Sequence, residues 1–242
     1  MQIPTTNMKD GYKADHRRQY PDNTELVVAN LTARKSRIPE IDKIVFFGLQ
    51  YFIKEYLQKE WDEEFFTQPK GLIISKYKRR IEHYLGKDAI TYDHIEALHD
   101  LGYLPIEILA VSEGELVPIG VPSMVIMNTK PEFFWLTNFL ETILSCCIWQ
   151  SITSATLAFE YRKLLTKYAK KTVGNDSFVP FQGHDFSMRG MSSLESACMS
   201  GAGHLLSFVG TDTIPTIDYL EEYYNANCEA ELIGCSVPAS EH

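Results

Sequence analysis

The longest helical periodicity in the chain opens at Pro131 and runs to Lys171. Leu136, Phe139, Leu140, Ile143, Leu144 and Cys147 recur on one stripe at three- and four-residue spacing, the pattern of a helix that buries one face. Pro131 suits the first turn, where its missing N–H leaves nothing unpaired. A helix of this length is scaffold, and the spacing leaves open whether it continues or breaks near Ser151 into a second helix ending at Lys171. Glu141 and Glu160 interrupt its apolar run, so no membrane span is expected.

The other regular segments are shorter. Residues 40–61 place Ile41, Ile44, Val45, Leu49, Phe52, Ile53, Tyr56 and Leu57 at helical spacing and predict an amphipathic helix. A second helix is expected from Lys70 to Leu85. A third runs from Thr91 to Leu101, with Thr91 and Asp93 as candidate caps and Gly102 as its end. His83, His94 and His99 share no face with acids at ligand spacing and read as structural or exposed. Residues 25–32 have strand composition. In residues 104–129 short β-branched runs are broken by Gly114, Pro118, Gly120 and Pro122, predicting a small antiparallel β module. Residues 7–24 are polar and turn-rich and read as a surface arm, with Tyr12 either a packing anchor or a ligand contact.

With 242 residues, 45% of them hydrophobic and 23% charged, the chain can build one large domain or two smaller ones. The turn Val173-Gly174-Asn175-Asp176 is the best boundary, giving an α+β region over 1–174 and a site-rich region over 175–242. A formal net charge of −9 argues against a nucleic-acid-binding surface. The five cysteines lack metal-ligand spacing, so no metal site is expected. With no secretory leader at the start, they point to reduced thiols in the cytoplasm.

Residues 184–213 look like a site. His184, Asp185, Phe186 and Arg189 lie together before Ser192 and Ser193, which with Glu195 resemble a capping arrangement for a helix rich in alanine and glycine. Small residues there allow close helix packing. Leu205 to Val209 reads as a strand ending in the turn Gly210-Thr211-Asp212-Thr213. An acid at a strand end sits where α/β proteins bind ligands, although Asp212 reads equally well as the cap of the next helix, residues 215–224. The final His242 has the chemistry of a nucleophile or general base, or is simply where the sequence stops.

The motifs DGYKADHRRQYP, FFGLQYF, LPIEILAVSEGELVPIG, PEFFWLTNFLETIL, HDFSMRGMSS, GTDT and SVPASEH occur in an order that resembles the nicotinamide phosphoribosyltransferase family across nearly the whole chain. The resemblance implies a type II phosphoribosyltransferase fold of class α/β, in which an N-terminal helical and antiparallel-sheet domain precedes an irregular α/β barrel. It implies transfer of a phosphoribosyl group from phosphoribosyl pyrophosphate to nicotinamide, in a homodimer with shared active sites, and without nucleic acid or membrane. By similarity Phe186 and the partner's Tyr12 sandwich the pyridine ring, with Asp10 beside that tyrosine. Asp212 accepts from the carboxamide, Arg189 and Arg34 contact phosphate, and Val237 and Ala239 line the pocket. His242 matches the histidine phosphorylated by ATP, with Mg²⁺ as the accompanying ion. Ser187 and Met188 stand where the family pattern has a glycine and an aromatic. In the family, the segments that hold phosphoribosyl pyrophosphate and Mg²⁺ lie beyond the SEH motif. This chain is therefore expected to be the N-terminal half of the enzyme and inactive alone. The competing expectations are a nicotinate-using relative and a non-catalytic dimerisation or binding module.

Overall fold

A computed structural model describes residues 3–236. Packing divides the chain into two interleaved units. The first is Met1–Leu31, Phe52–Ala110 and Pro122–Cys146, and the second is Thr32–Tyr51, Val111–Val121 and Cys147–His242. The composition change at residues 173–176 follows the end of the long helix, whereas the units follow side-chain contact, which brings together segments far apart in sequence.

In the first unit a three-stranded sheet has the order β1 (Val28–Thr32), β5 (Pro122–Asn128), β3 (Ile106–Ala110). β3 and β5 are antiparallel, with Ile108 opposite Ile126. The buried Asn128 ties this sheet to its flanking loop: its Oδ1 accepts from Val27 N at 2.8 Å and its Nδ2 donates to Glu25 O at 2.8 Å. α2 (Lys70–Leu85) has the extent that the apolar spacing predicts, and α3 (Asp93–Leu101) ends at Gly102 as expected but begins after Thr91. The expected caps of α3 do not form. Tyr92 occupies the cap position without a side-chain bond, and the Thr91 hydroxyl is drawn instead to the Asp93 carboxylate.

The polar N-terminal segment is not a loose arm. It folds into 3₁₀ turns at Thr5–Asn7, Gly11–Ala14 and His16–Gln19 and buries Thr5, Thr6, Lys13 and Ala14. Its polar groups are partnered by the first turns of the long helix α4 (Phe134–Thr172). The Lys13 ammonium donates to Asn138 and Glu141, Asn138 Nδ2 donates to Tyr20 Oη at 2.7 Å, and Thr142 Oγ1 donates to Asp10 Oδ2 at 2.9 Å. A polar composition reads as surface until such partners are known.

The helix expected over residues 40–61 forms only in its second half. Lys43–Val45 is a strand, β2, paired antiparallel with β4 (Leu116–Pro118) in the second unit. Ile44 and Val45 fit helical spacing by coincidence, and their branched side chains sit better on a pleated surface. Gly48, at φ 103°, then turns the chain into α1 (Leu49–Tyr51), which continues in π-type turns over Phe52–Glu60 and Asp62–Phe66. Glu113, on the loop before β4, accepts from Gln50 N at 3.0 Å at the start of α1, and burial pushes its carboxyl up.

α4 does not break at Ser151. It is continuous for 39 residues after a 3₁₀ turn at Pro131–Phe133. By length and composition the segment Pro131–Thr172 is apolar enough to cross a membrane. Its buried stripe includes Leu136, Leu140, Leu144, Ile148, Ile152 and Ala155. In the second unit α5 (Leu194–Leu205) lies directly on this helix. A Cβ on Gly203 would fall 2.8 Å from both Ser151 O and Ala155 N, so only glycine permits the approach. Ser193 caps α5 by accepting from Ser196 N at 3.1 Å, while Glu195 is used elsewhere, accepting from Tyr51 Oη at 2.6 Å.

His94 is buried on α3 with its ring 4.9 Å from that of Trp135, edge to face, and burial pulls its imidazole down to about 4. The unfolded chain takes up this proton below about pH 6.5 and the folded chain only near 4, so folding loses stability as pH falls through that window. The loss is up to roughly 3 kcal/mol. In urea unfolding at pH 7, 5.5 and 4.5, His94→Leu should lose less stability on acidification than wild type. Parallel losses would assign the acid sensitivity to other groups.

Candidate active site

The site-like stretch forms the parallel heart of the second unit. β6 (His184–Asp185) pairs in parallel with β7 (Gly210–Thr211), and Gly210 bridges in parallel to Cys235. The strand expected over residues 205–209 is therefore shorter and later, because Leu205 completes α5 and the chain extends only after Ser207. The next helix, α6, spans Pro215–Tyr224 as predicted.

Asp185 fixes this arrangement. It is 6% exposed; its Oδ1 accepts from Ser187 N at 2.9 Å and its Oδ2 from Thr213 Oγ1 at 2.8 Å. Thr211 Oγ1 lies at 3.4 Å from the same oxygen. Burial pushes the carboxyl up, yet the donors from Ser187 and Thr213 outweigh it and hold the group below its ordinary value. One carboxylate thus bonds to the turn after β6 and to the turn after β7. Thr213, not Asp212, spends its side chain on this joint.

Phe186 and Asp212 are the residues immediately after the two parallel strands, at their carboxyl ends, where open α/β sheets bind ligands. Phe186 leaves 56% of its surface exposed. Asp212 does not cap α6, whose N-cap makes no side-chain bond; its Oδ1 lies 2.7 Å from His184 Nε2. The His184 ring is also 4.3 Å from that of Phe186, tilted by 35°. His184 therefore holds both an exposed aromatic face and an oriented carboxylate. Its own position in the motif gives no sign of this, since the partner is 28 residues away.

A groove of about 820 Å³ opens beside these residues, between the outer face of α4 and the β6 turn. Trp149, Leu157, Tyr161, His184, Phe186 and Phe208 line it. Asp212 and Arg189 are not among its walls; Asp212 is linked to it through His184. Sequence reading missed the contribution of α4, although Trp149, Thr153, Leu157 and Tyr161 recur every fourth residue off the buried stripe. His204 stacks on Phe208 at 5.1 Å, and burial lowers its imidazole below its ordinary value.

The remaining predicted residues are placed as follows. Arg189 lies in the exposed 3₁₀ turn Met188–Gly190, and Arg34 is an exposed residue following β1 in the second unit. Neither makes an ion pair or hydrogen bond among the described residues. Tyr12 and Asp10 belong to the first unit; Tyr12 is 56% exposed with its ring edge-on to His16 at 5.0 Å, and Asp10 bonds to Thr142. Val237, Ala239 and His242 lie outside the described residues. Among the described residues no group of three or more His, Cys, Asp or Glu side chains is arranged to hold a metal ion.

The fold has a counterpart in the crystal structure of human nicotinic acid phosphoribosyltransferase, with a TM-score of 0.59 over 86% of this chain and 36% of that one, at 15% identity. The architecture, helices with small antiparallel sheets and a short parallel pair, is thus mixed α/β. The family described as nicotinamide phosphoribosyltransferase, N-terminal domain, matches residues 6–108, and the nicotinate phosphoribosyltransferase (NAPRTase) family matches residues 181–242. The nicotinamide phosphoribosyltransferase of Acinetobacter baylyi is 54% identical over 99% of this chain and 48% of its own length. That of Xanthomonas campestris pv. campestris is 34% identical over 96% of this chain and 47% of its own. Along nearly its whole length the chain is thus similar to the N-terminal half of nicotinamide phosphoribosyltransferases, and it spans about half the length of the curated relatives it matches.

If Asp185 joins the two strand ends, Asp185→Asn should lower unfolding stability by about 2 kcal/mol, the worth of charged hydrogen bonds lost in a buried site. Chemical denaturation followed by tryptophan fluorescence measures this, and an unchanged midpoint would remove Asp185 from that role.

Proposed function

We propose that this chain supplies the nicotinamide end of the active site in an enzyme that transfers phosphoribosyl from phosphoribosyl pyrophosphate to nicotinamide, releasing pyrophosphate and nicotinamide mononucleotide. The observation that carries this reading is the trio at the strand ends: the exposed Phe186 face, His184, and the Asp212 carboxylate oriented by it at 2.7 Å. A neutral pyridine becomes a cation in this reaction. An aromatic face stabilises the developing charge by about 1 kcal/mol or more once water is excluded, and a nearby carboxylate adds to it.

His184 engages Oδ1 of Asp212, and the second oxygen has no partner among the described residues. That oxygen can accept from a carboxamide NH₂, whereas the carboxylate of nicotinate would meet it as a like charge. This favours nicotinamide over the nicotinate-using alternative. Arg189 and Arg34, both without a partner among the described residues, are suited to anionic phosphate groups. In this proposal residues 175–242 begin the α/β barrel, Tyr12 with Asp10 completes the ring sandwich in the partner subunit of a homodimer, and the enzyme works in the cytoplasm. ATP acting through His242, with Mg²⁺, is the cofactor expectation that the resemblance raises. Among the described residues no three His, Cys, Asp or Glu side chains stand together to hold a metal ion.

In the longer enzyme, Asp212→Asn should shift the ratio of kcat/KM for nicotinate over nicotinamide upward by about tenfold, since a partly exposed like charge costs on the order of 1–2 kcal/mol. An unchanged ratio would show that Asp212 is not the selector. Mixing Tyr12→Ala with Phe186→Ala subunits should restore activity in the heterodimer to a quarter or more of wild type. No recovery above either parent would place both rings of a site in one subunit.

A further inference from the structure

Residues 10–13 are held from two sides. On one side α4 presents Asn138, Glu141 and Thr142, three polar residues whose spacing puts them on one helix face. Thr142 Oγ1 donates to Asp10 Oδ2 at 2.9 Å and accepts from Asp10 N at 3.3 Å, while the Lys13 ammonium donates to Asn138 and Glu141. On the other side Tyr84 of α2 lies against Gly11 so closely that a Cβ there would overlap the tyrosine hydroxyl. All of these residues belong to the first unit.

So much polar fixing is out of proportion to what the turn itself gains. The 3₁₀ helix Gly11–Ala14 has four residues and little ladder energy of its own. The Lys13 side chain is 4% exposed, and an ammonium withdrawn from water is tolerated only with a counter-charge and hydrogen bonds, which α4 supplies. Asp10, Gly11 and Lys13 are each committed to keeping the turn in place. Tyr12 between them is 56% exposed, and its hydroxyl makes no hydrogen bond among the described residues. A ring whose backbone is fixed on both sides while most of its surface stays open has the placement of a preorganised ligand wall. Lys13 Nζ also sits 5.1 Å from the centre of the Tyr12 ring, where Glu141 offsets its charge. Left bare, that ammonium would oppose a cation developing against the same ring.

We propose that Asn138, Glu141 and Thr142 are positioning residues for Tyr12: the polar face of α4 fixes the turn that carries the ring, and Glu141 neutralises the lysine beside it. The consequence for the reaction rests on the ring-sandwich reading of Tyr12 given above. None of the three touches the pyridine; they act through the place and the electrostatic surroundings of one aromatic face.

The test has two readouts in the longer enzyme. Fluorotyrosine placed at position 12 alone reports the ring's surroundings by fluorine NMR, independently of its role in the reaction. Glu141→Gln and Thr142→Val should each shift that resonance, and Thr142→Ser, which keeps the hydroxyl, should leave it in place. In kinetics the same two variants should raise KM for nicotinamide by about fivefold to tenfold, the scale of a small misplacement of a binding wall, with KM for phosphoribosyl pyrophosphate unchanged. Thr142→Ser should restore the nicotinamide KM. Added to Tyr12→Ala, either variant should have no further effect, because both act through that ring. A purely structural role would instead move both KM values and add to the loss in Tyr12→Ala. Glu141 is exposed, so its substitution tests the clamp even if Thr142→Val disturbs folding. A position-12 resonance that neither variant moves, or losses that add in full to those of Tyr12→Ala, would overturn the proposal. A resonance that moves while Tyr12→Ala itself leaves the nicotinamide KM unchanged would uphold the clamp and reject the ring sandwich.

Discussion

Most of the candidate site hangs on one buried carboxylate. Asp185 accepts a backbone N–H from the turn that follows β6 and a hydroxyl from the turn that follows β7, so two strands of only two residues each end at a fixed separation. Pairs this short have little ladder energy of their own. Asp212 N adds a backbone bond to Asp185 O at 2.9 Å, and the carboxylate supplies the side-chain links between the two turns. Phe186 and Asp212 owe their common position to that joint, and His184, paired with Asp212 on one side and laid against Phe186 on the other, carries it outward to the groove.

The joint in turn needs α5 close to α4. Ala197, Gly201, Ala202 and Gly203 are buried, and the absence of a side chain at Gly203 lets the two backbones approach at Ser151 and Ala155. Gln150 adds polar pairing at the same crossing, receiving the Ser196 hydroxyl at 2.8 Å and donating to Ser196 O at 3.0 Å. A long apolar helix whose inner stripe meets a helix of small residues has its outer stripe left over. In the second unit that stripe, from Trp149 to Tyr161, becomes one wall of the groove. Scaffold and pocket are two faces of one helix.

Charge is distributed with the same economy. The acids that matter, Asp185, Glu195 and Glu113, are each committed to named donors. Arg34 and Arg189, which have no acidic partner among the described residues, are the cations that the proposed function assigns to anions.

The sequence by itself determined the elements whose periodicity is long or whose ends are punctuated: α2, α3, the start of α4, and α6 behind Pro215. It also singled out Phe186, Arg189 and Asp212, which stand out among small neighbours. Short elements were illegible for a physical reason. Ile44 and Val45 satisfy helix and strand spacing alike, and only pairing with β4 decides for the strand. Polarity misled at the N-terminus, where Lys13 and Asp10 find partners on α4 more than 120 residues away. The tertiary structure alone decided that His184 would meet Asp212 and that Thr213 rather than Asp212 would bond to Asp185. Each of these depends on a distance between residues that no local spacing encodes.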